Sequence, residues 1–130
     1  MTKMFHMIPC STVFISCLFF ATHACAEETT PNIASEINGK AHFDTICSHC
    51  HNITYDESRI GAPGLKGVLE RHDEEWLNHW IKSPESFAKV DGKAKDLISS
   101  NKFGLAMPTI PAMQDDQARA DIIAYLKTLK

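Results

Sequence analysis

The sequence lacks an excess of positive charge. Its 130 residues include 13 Lys and Arg against 16 Asp and Glu, which gives a formal charge of −3. The basic residues do not cluster with aromatic residues, as a surface that binds single-stranded nucleic acid requires. Repeats and low-complexity tracts are also lacking, and the length suits one domain better than two. We therefore exclude nucleic-acid binding and expect one small globular domain.

Long hydrophobic runs are lacking apart from one near the start of the chain. Residues 8–20 are apolar, but this stretch is shorter than the roughly 20 residues that span a bilayer. Lys3 precedes it, and Ala24-Cys25-Ala26 follows it as a cleavage site. This order is typical of a secretory signal peptide at 1–26, so we expect cleavage, a periplasmic or otherwise exported location, and no stable membrane insertion afterwards. A membrane anchor and a lipoprotein with a lipid on Cys25 are the alternatives.

Cysteine is scarce once this segment is removed. The remaining residues carry 12 basic and 16 acidic side chains, a charge of −4, and only two of the five cysteines, Cys47 and Cys50. Two thiols cannot build a disulfide framework or a four-thiolate zinc site. The chemistry of the mature chain is therefore expected to begin at this pair.

The alternating pattern of a β-strand is lacking as well. Apolar periodicity predicts helices over roughly 33–47 and 74–82, and a third that opens at Asp115-Asp116. Gly39 lies inside the first helix and suggests a close crossing with another element. Between the helices, 52–72 and 85–104 are predicted to be long loops.

These elements predict an all-α domain over 36–130, with three to five short helices, preceded by a flexible N-terminus at 27–35. Such short helices bury a modest core and depend on tertiary packing. We therefore expect another component to fill the centre of the domain.

The sequence does contain the motif Cys47-Ser48-His49-Cys50-His51, which has the form C-x-x-C-H. This pattern is the attachment signature of a c-type haem. The two thiols add across the haem vinyl groups as thioethers, and the histidine that follows supplies a neutral nitrogen ligand for the iron. Attachment of this kind usually follows export, so the signal peptide supports the same interpretation.

Two other sites remain compatible with the cysteine pair. A zinc ion could combine the thiolates with histidine ligands, and a thioredoxin-like dithiol could exchange disulfides. The dithiol alternative requires a fold that alternates strands and helices. The candidate histidines for zinc are His49, His51, His72 and His79.

A second axial ligand for a haem iron is expected from a methionine. Outside the signal peptide the chain has only Met107 and Met113. Met107 lies in a predicted loop before Pro108, with no helical stripe to join, whereas Met113 precedes the last helix, where an apolar residue commonly packs. Met107 is therefore the predicted ligand and Met113 the alternative. A packing role for Met107, beside an open or His-ligated iron, stays open.

Together these features resemble the class I cytochromes c, the single-haem electron carriers of mitochondria and bacteria. The resemblance extends over roughly 36–130, well beyond the C-x-x-C-H motif. The matching segments are Gly39-Lys40 with Phe43, Pro63-x-Leu65-x-Gly67 with Arg71, Leu77-x-x-Trp80-Ile81-x-x-Pro84, Met107-Pro108, and residues 119–127. The resemblance implies the small cytochrome c fold, in which short helices surround one covalently attached haem c.

The resemblance also implies roles for individual residues. Gly39 and Phe43 on the first helix are expected to meet Tyr125 on the last, and the Pro63 carbonyl to bond the second ring nitrogen of His51. Arg71, with help from His72 or Trp76, is expected to pair with a haem propionate. The residues expected to form the haem pocket are Phe43, Pro63, Leu65, Arg71, Trp80 and Tyr125.

The function that the resemblance implies is one-electron transfer between redox proteins, without enzymatic activity. The expected partners are a dehydrogenase or bc1-type complex and an oxidase. The alternatives are a dedicated electron-accepting subunit of a periplasmic dehydrogenase, and an open-iron haem protein with ligand or peroxide chemistry.

One departure from the family pattern is a long interval between Pro84 and Met107. The segment 82–102 carries five lysines against three acidic residues, a local charge of +2, so the rest of the mature chain has −6. This asymmetry could steer a partner toward the segment, although a lysine-rich insertion is more often a solvated surface.

Overall fold

The computed structural model describes residues 33–130, and within this range the chain is all-α, without strands. The predicted signal peptide at 1–26 and residues 27–32 of the predicted flexible N-terminus lie outside the described residues. The six α-helices are α1 (Glu36–Thr45), α2 (Val68–Arg71), α3 (Glu74–Lys82), α4 (Pro84–Phe87), α5 (Gly92–Ser100) and α6 (Asp116–Leu126). Two 3₁₀ turns cover Cys47–His49 and Pro111–Gln114. The all-α prediction is confirmed, and two single-turn helices take the number above the predicted range.

Helix α1 is shorter than predicted at both ends. It begins after Ser35, whose hydroxyl accepts a hydrogen bond from the backbone N–H of Asn38 at 3.2 Å. The backbone N–H of Ser35 donates to the buried carboxylate of Asp121 on α6, at 2.7 Å. This bond anchors the start of the described chain to the last helix.

The predictions of α3 and of the start of α6 are confirmed. Asp73 caps α3 by accepting from the N–H of Trp76, and Asp115 caps α6 by accepting from the N–H of Ala118, both at 2.8 Å. An acidic cap also interacts favourably with the positive end of the helix dipole. Both boundaries therefore follow from local sequence.

The prediction of a loop over 85–104 was wrong, because α4 and α5 occupy most of it. Asp91 explains α5: its carboxylate accepts from the N–H of Ala94 at 2.8 Å and from the indole N–H of Trp76 at 3.0 Å. Ala94 is fully buried, and Leu97 and Ile98 are half-buried. The predicted loop over 52–72 likewise contains α2.

The α1–α6 crossing is the closest helix contact at the core. A Cβ atom on Gly39 would overlap the backbone carbonyl of Asp121, so only glycine permits this approach. One turn further along α1, the rings of Phe43 and Tyr125 pack at a tilt of 51° with centroids 5.4 Å apart. The crossing that the sequence predicted from Gly39 is confirmed.

The core lies where α1, α3 and α6 meet. Its buried members are Phe43, Val68, Leu77, Ile81, Met113, Ala118, Ile122, Ile123, Tyr125 and Leu126. No helix in residues 33–130 combines the length and apolar character needed to cross a membrane.

Candidate functional site

An apolar cleft lies beside the core, in two adjoining parts of about 170 and 290 Å³. The same side chains border both parts, so the two form one site. The shared lining residues are Cys47, His51, Pro63, Trp80, Leu97, Met107 and Ile110. Residues of the C-x-x-C-H motif thus line the space that the helices leave beside the core.

His51 is oriented by the loop that contains Pro63. Its Nδ1 donates to the Pro63 carbonyl oxygen at 2.8 Å, which leaves the lone pair on Nε2. Burial lowers the pKa of His51, and the hydrogen bond to Pro63 opposes this shift. The ring is therefore neutral at pH 7, as a metal ligand must be. The hydrogen bond is the one that the resemblance implied.

The two cysteines are free thiols that border this cleft, Cys47 along both parts and Cys50 along the larger one. Both are half-buried, and a 3₁₀ turn brings the N–H of Cys50 to 3.1 Å and that of His51 to 2.9 Å from the Cys47 carbonyl. Burial, with a smaller contribution from Cys50, raises the pKa of the Cys47 thiol to about 11. Cys47 is thus protonated at pH 7 and is a poor nucleophile for disulfide exchange.

The two methionines differ in their surroundings. Met107 is half-buried and borders both parts of the cleft, as His51 does. Met113 is fully buried in the core, borders only the smaller part, and has its carbonyl bonded by the guanidinium of Arg119 at 2.6 Å. Met107 therefore accompanies His51 along both parts of the cleft, whereas Met113 shares only the smaller part with it.

Most of the residues predicted to form the pocket line the cleft, and Tyr125 does not. Phe43, Leu65 and Trp80 border the smaller part. Tyr125 lies at the α1–α6 crossing, where it packs against Phe43 from behind. A place for Tyr125 in the haem pocket thus stays a prediction, and its described contacts are with Gly39 and Phe43.

The three candidates for a haem propionate are not equally available. Arg71 borders the cleft, but its guanidinium donates to the carbonyls of Lys66 at 2.9 Å and Gly64 at 2.8 Å. Trp76 uses its indole N–H on Asp91. His72 stacks on Trp76 with centroids 4.0 Å apart, and its buried Nδ1 has no hydrogen-bond partner among residues 33–130.

The zinc and dithiol alternatives find little support. Across residues 33–130, no three His, Cys, Asp or Glu side chains come together in a way that could hold a metal ion. The described chain also has none of the strands of a thioredoxin-like fold. The cleft instead presents two thiols, the oriented imidazole of His51, and the thioethers of Met107 and Met113 around an apolar space.

Comparison with known proteins decides between these chemistries. A family model described as Cytochrome c matches residues 37–130. The chain belongs to the cytochrome c family. A relative, the cytochrome c2 of Rhodopila globiformis, is 36% identical over 104 residues, which cover 72% of this chain and 92% of the relative.

Membership of the cytochrome c family implies one covalently bound haem c and electron transfer. The residues of the cleft fit that group. The walls of the smaller part are almost entirely apolar, the His51 ring is held with Nε2 available, and His72 offers an unpartnered polar atom among the residues that line that part. Haem is thus the component that we expected to fill the centre of the domain, because the helices alone bury only a small core.

Sequence reasoning missed two residues that line both parts of the cleft, Leu97 and Ile110. Leu97 was missed because α5 was taken for a loop. The spacing of Ala94, Leu97 and Ile98 at i, i+3 and i+4 was the available signal. No helical or alternating pattern identifies Ile110, which lies just before a 3₁₀ turn.

Proposed function

We propose that this cytochrome c is an exported, periplasmic one-electron carrier. Cys47 and Cys50 would hold the haem, and His51 and Met107 would bind its iron. The observation that carries the proposal is that His51 and Met107 border both parts of one apolar cleft, which the two free thiols also border.

The haem, when bound, supplies the one-electron couple of its iron. The chain adjusts the reduction potential of this couple. Pro63 fixes the orientation of His51, and the soft thioether of Met107 favours the ferrous state and raises the potential. The apolar walls contributed by Phe43 and Trp80 disfavour the extra charge of the ferric state.

His72 supplies the polar contact to a haem propionate in this proposal, ahead of Arg71. A buried polar atom without a partner is rare in folded proteins, and a propionate oxygen would accept from the Nδ1–H of a neutral His72. The guanidinium of Arg71 instead holds the loop that follows Pro63, through the Gly64 and Lys66 carbonyls.

Export and partner choice complete the proposal. Residues 1–26 act as a signal peptide. The partners are a donor and an acceptor redox protein, such as a dehydrogenase or bc1-type complex and an oxidase. Exposed apolar side chains at or near the larger part of the cleft suit a small, transient interface: Ile60 is 40%, Phe103 55% and Leu105 49% exposed. The +2 charge of 82–102 favours an acidic contact surface.

The test is to purify the protein from a host that performs c-type maturation and to follow its absorption through a redox titration. A one-electron transition with no response of the reduced form to carbon monoxide supports the carrier. Carbon monoxide binding would overturn the closed iron and favour ligand chemistry. A stable co-purifying dehydrogenase would favour the subunit alternative.

A further inference from the structure

The amide side chain of Asn101 connects two segments that border the cleft. Its Nδ2 donates to the backbone carbonyls of Gly61 at 3.0 Å and Ile60 at 3.4 Å. Its Oδ1 accepts from the backbone N–H groups of Phe103 at 2.9 Å and Leu105 at 3.1 Å. One half of the amide thus bonds the loop before Pro63, and the other half bonds the segment before Met107.

Each bonded segment lies just before a residue that has a part in the proposed ligation of the iron. Gly61 lies two residues before Pro63, whose carbonyl orients His51, and Leu105 lies two residues before Met107. The loop at 58–62 is itself a closed turn, because Ser58 bonds the backbone of both Gly61 and Ala62. Asn101 therefore joins one defined turn to the approach to Met107.

Close packing and an ion pair support the same contact. A Cβ atom on Gly61, whose φ is +73°, would lie 3.1 Å from Nδ2 of Asn101 and 3.2 Å from the Phe103 ring. Lys102 and Glu57 pair at 3.1 Å across the same junction, with both side chains more than half exposed. The ion pair is screened by solvent, so the amide bonds are the specific part of the contact.

We propose that Asn101 is a positioning residue that holds the Met107 segment against the Pro63 loop and so keeps the Met107 thioether at the iron. This inference rests on the proposed axial role of Met107. Asn101 directly follows α5, so the long interval between Pro84 and Met107 would serve in part to bring this side chain to the contact.

The test compares two substitutions in the purified holoprotein. Asn101→Asp keeps an acceptor for Phe103 and Leu105 but loses the N–H donor to Gly61 and Ile60, whereas Asn101→Ala loses both. The probe is imidazole, which binds the oxidised iron only when Met107 has left it. We expect Asn101→Asp to tighten imidazole binding about tenfold, as the loss of roughly one net hydrogen bond predicts.

Two controls separate positioning from general destabilisation. Lys102→Gln removes the exposed ion pair and should leave imidazole affinity within about twofold of wild type, because such pairs contribute little. Asp115→Ala removes the cap of α6, a different element from this contact, and should lower global stability without changing imidazole affinity. Amide hydrogen exchange at Phe103 and Leu105 should accelerate in Asn101→Ala and not in Asn101→Asp.

The outcomes distinguish this inference from the proposed function. If wild type binds imidazole as tightly as Met107→Ala does, the axial role of Met107 is wrong. If wild type resists imidazole and both Asn101 variants resist it equally, the carrier stands and the positioning role of Asn101 is overturned. Imidazole affinity that follows global stability across all variants also overturns it.

Discussion

At the scale of single residues, the most constrained position outside the cleft is Gly39. Its hydrogen atoms face the backbone of Asp121 and the Cβ of Tyr125, at the crossing of α1 and α6. A methyl group there must push two helix backbones apart, since no flexible side chain can give way at the Asp121 carbonyl. A side chain at this position would therefore also disturb the packing of Phe43, which borders the cleft.

We predict that Gly39→Ala lowers the free energy of unfolding by about 3 kcal/mol, the upper end of the usual cost of overpacking a core. Gly92→Ala is the matched control. It adds the same methyl group at the start of α5, where nothing lies within 4 Å, and should stabilise by about 0.5 kcal/mol. Denaturant titration of both holoproteins measures the difference, and equal stabilities would contradict the close crossing.

At the scale of elements, the helices predicted most accurately from the sequence are those whose first residue is set by one local signal. Asp73 and Asp115 each precede an apolar stripe, and α3 and α6 begin directly after them. Helix α5 was not predicted, because the residue that caps it is held by a partner that is distant in sequence. Asp91 is held by the indole N–H of Trp76, fifteen residues earlier, and the lysines of 89–95 obscured the Ala94 stripe.

The same distinction applies to the site. The motif Cys47 to His51 identifies itself by spacing, and the resemblance correctly supplied the bond from His51 to Pro63. The resemblance also supplied the contact of Phe43 with Tyr125. The surroundings of Arg71 could not be predicted, because they depend on which carbonyls lie nearby after folding. Its guanidinium donates to the carbonyls of Gly64 and Lys66.

We predict that Asp91→Ala lowers the melting temperature and loosens α5, because it removes both the cap and the acceptor for Trp76. The pKa of Asp91 is lowered mainly by the bond from the Ala94 N–H and then by that from Trp76, so its contribution is present at neutral pH and is lost in acid. Asp96→Ala, at an exposed position on the same helix, is the control. Similar melting temperatures for the two variants at pH 7 would contradict the role of Asp91.

At the scale of the whole molecule, the helices surround a space that they do not fill. The buried core of the described residues has only ten members, and the cleft beside it is bordered by apolar residues from α1, α3, α5 and the segment before α6. In a domain of this size, packing around the haem must contribute a large share of the stability. Attachment and folding are therefore expected to depend on one another.

We predict that replacing both Cys47 and Cys50 with alanine, in a host that performs c-type maturation, gives a chain without covalent haem and with most of its helical circular dichroism lost. Ser48→Ala, between the two cysteines and exposed, should retain both the haem and the helices. A helical, cooperatively unfolding double variant without haem would contradict the dependence of the fold on the cofactor.

The central claim is that Met107, and not Met113, is the second ligand of the iron. The most direct measurement is the absorption band of the iron–methionine bond in the oxidised holoprotein, recorded for wild type, Met107→Ala and Met113→Ala. Our account predicts that the band is present in wild type, lost in Met107→Ala, and retained in Met113→Ala even though that variant is less stable, because Met113 lies in the core. A band that survives in Met107→Ala and disappears in Met113→Ala would contradict the account.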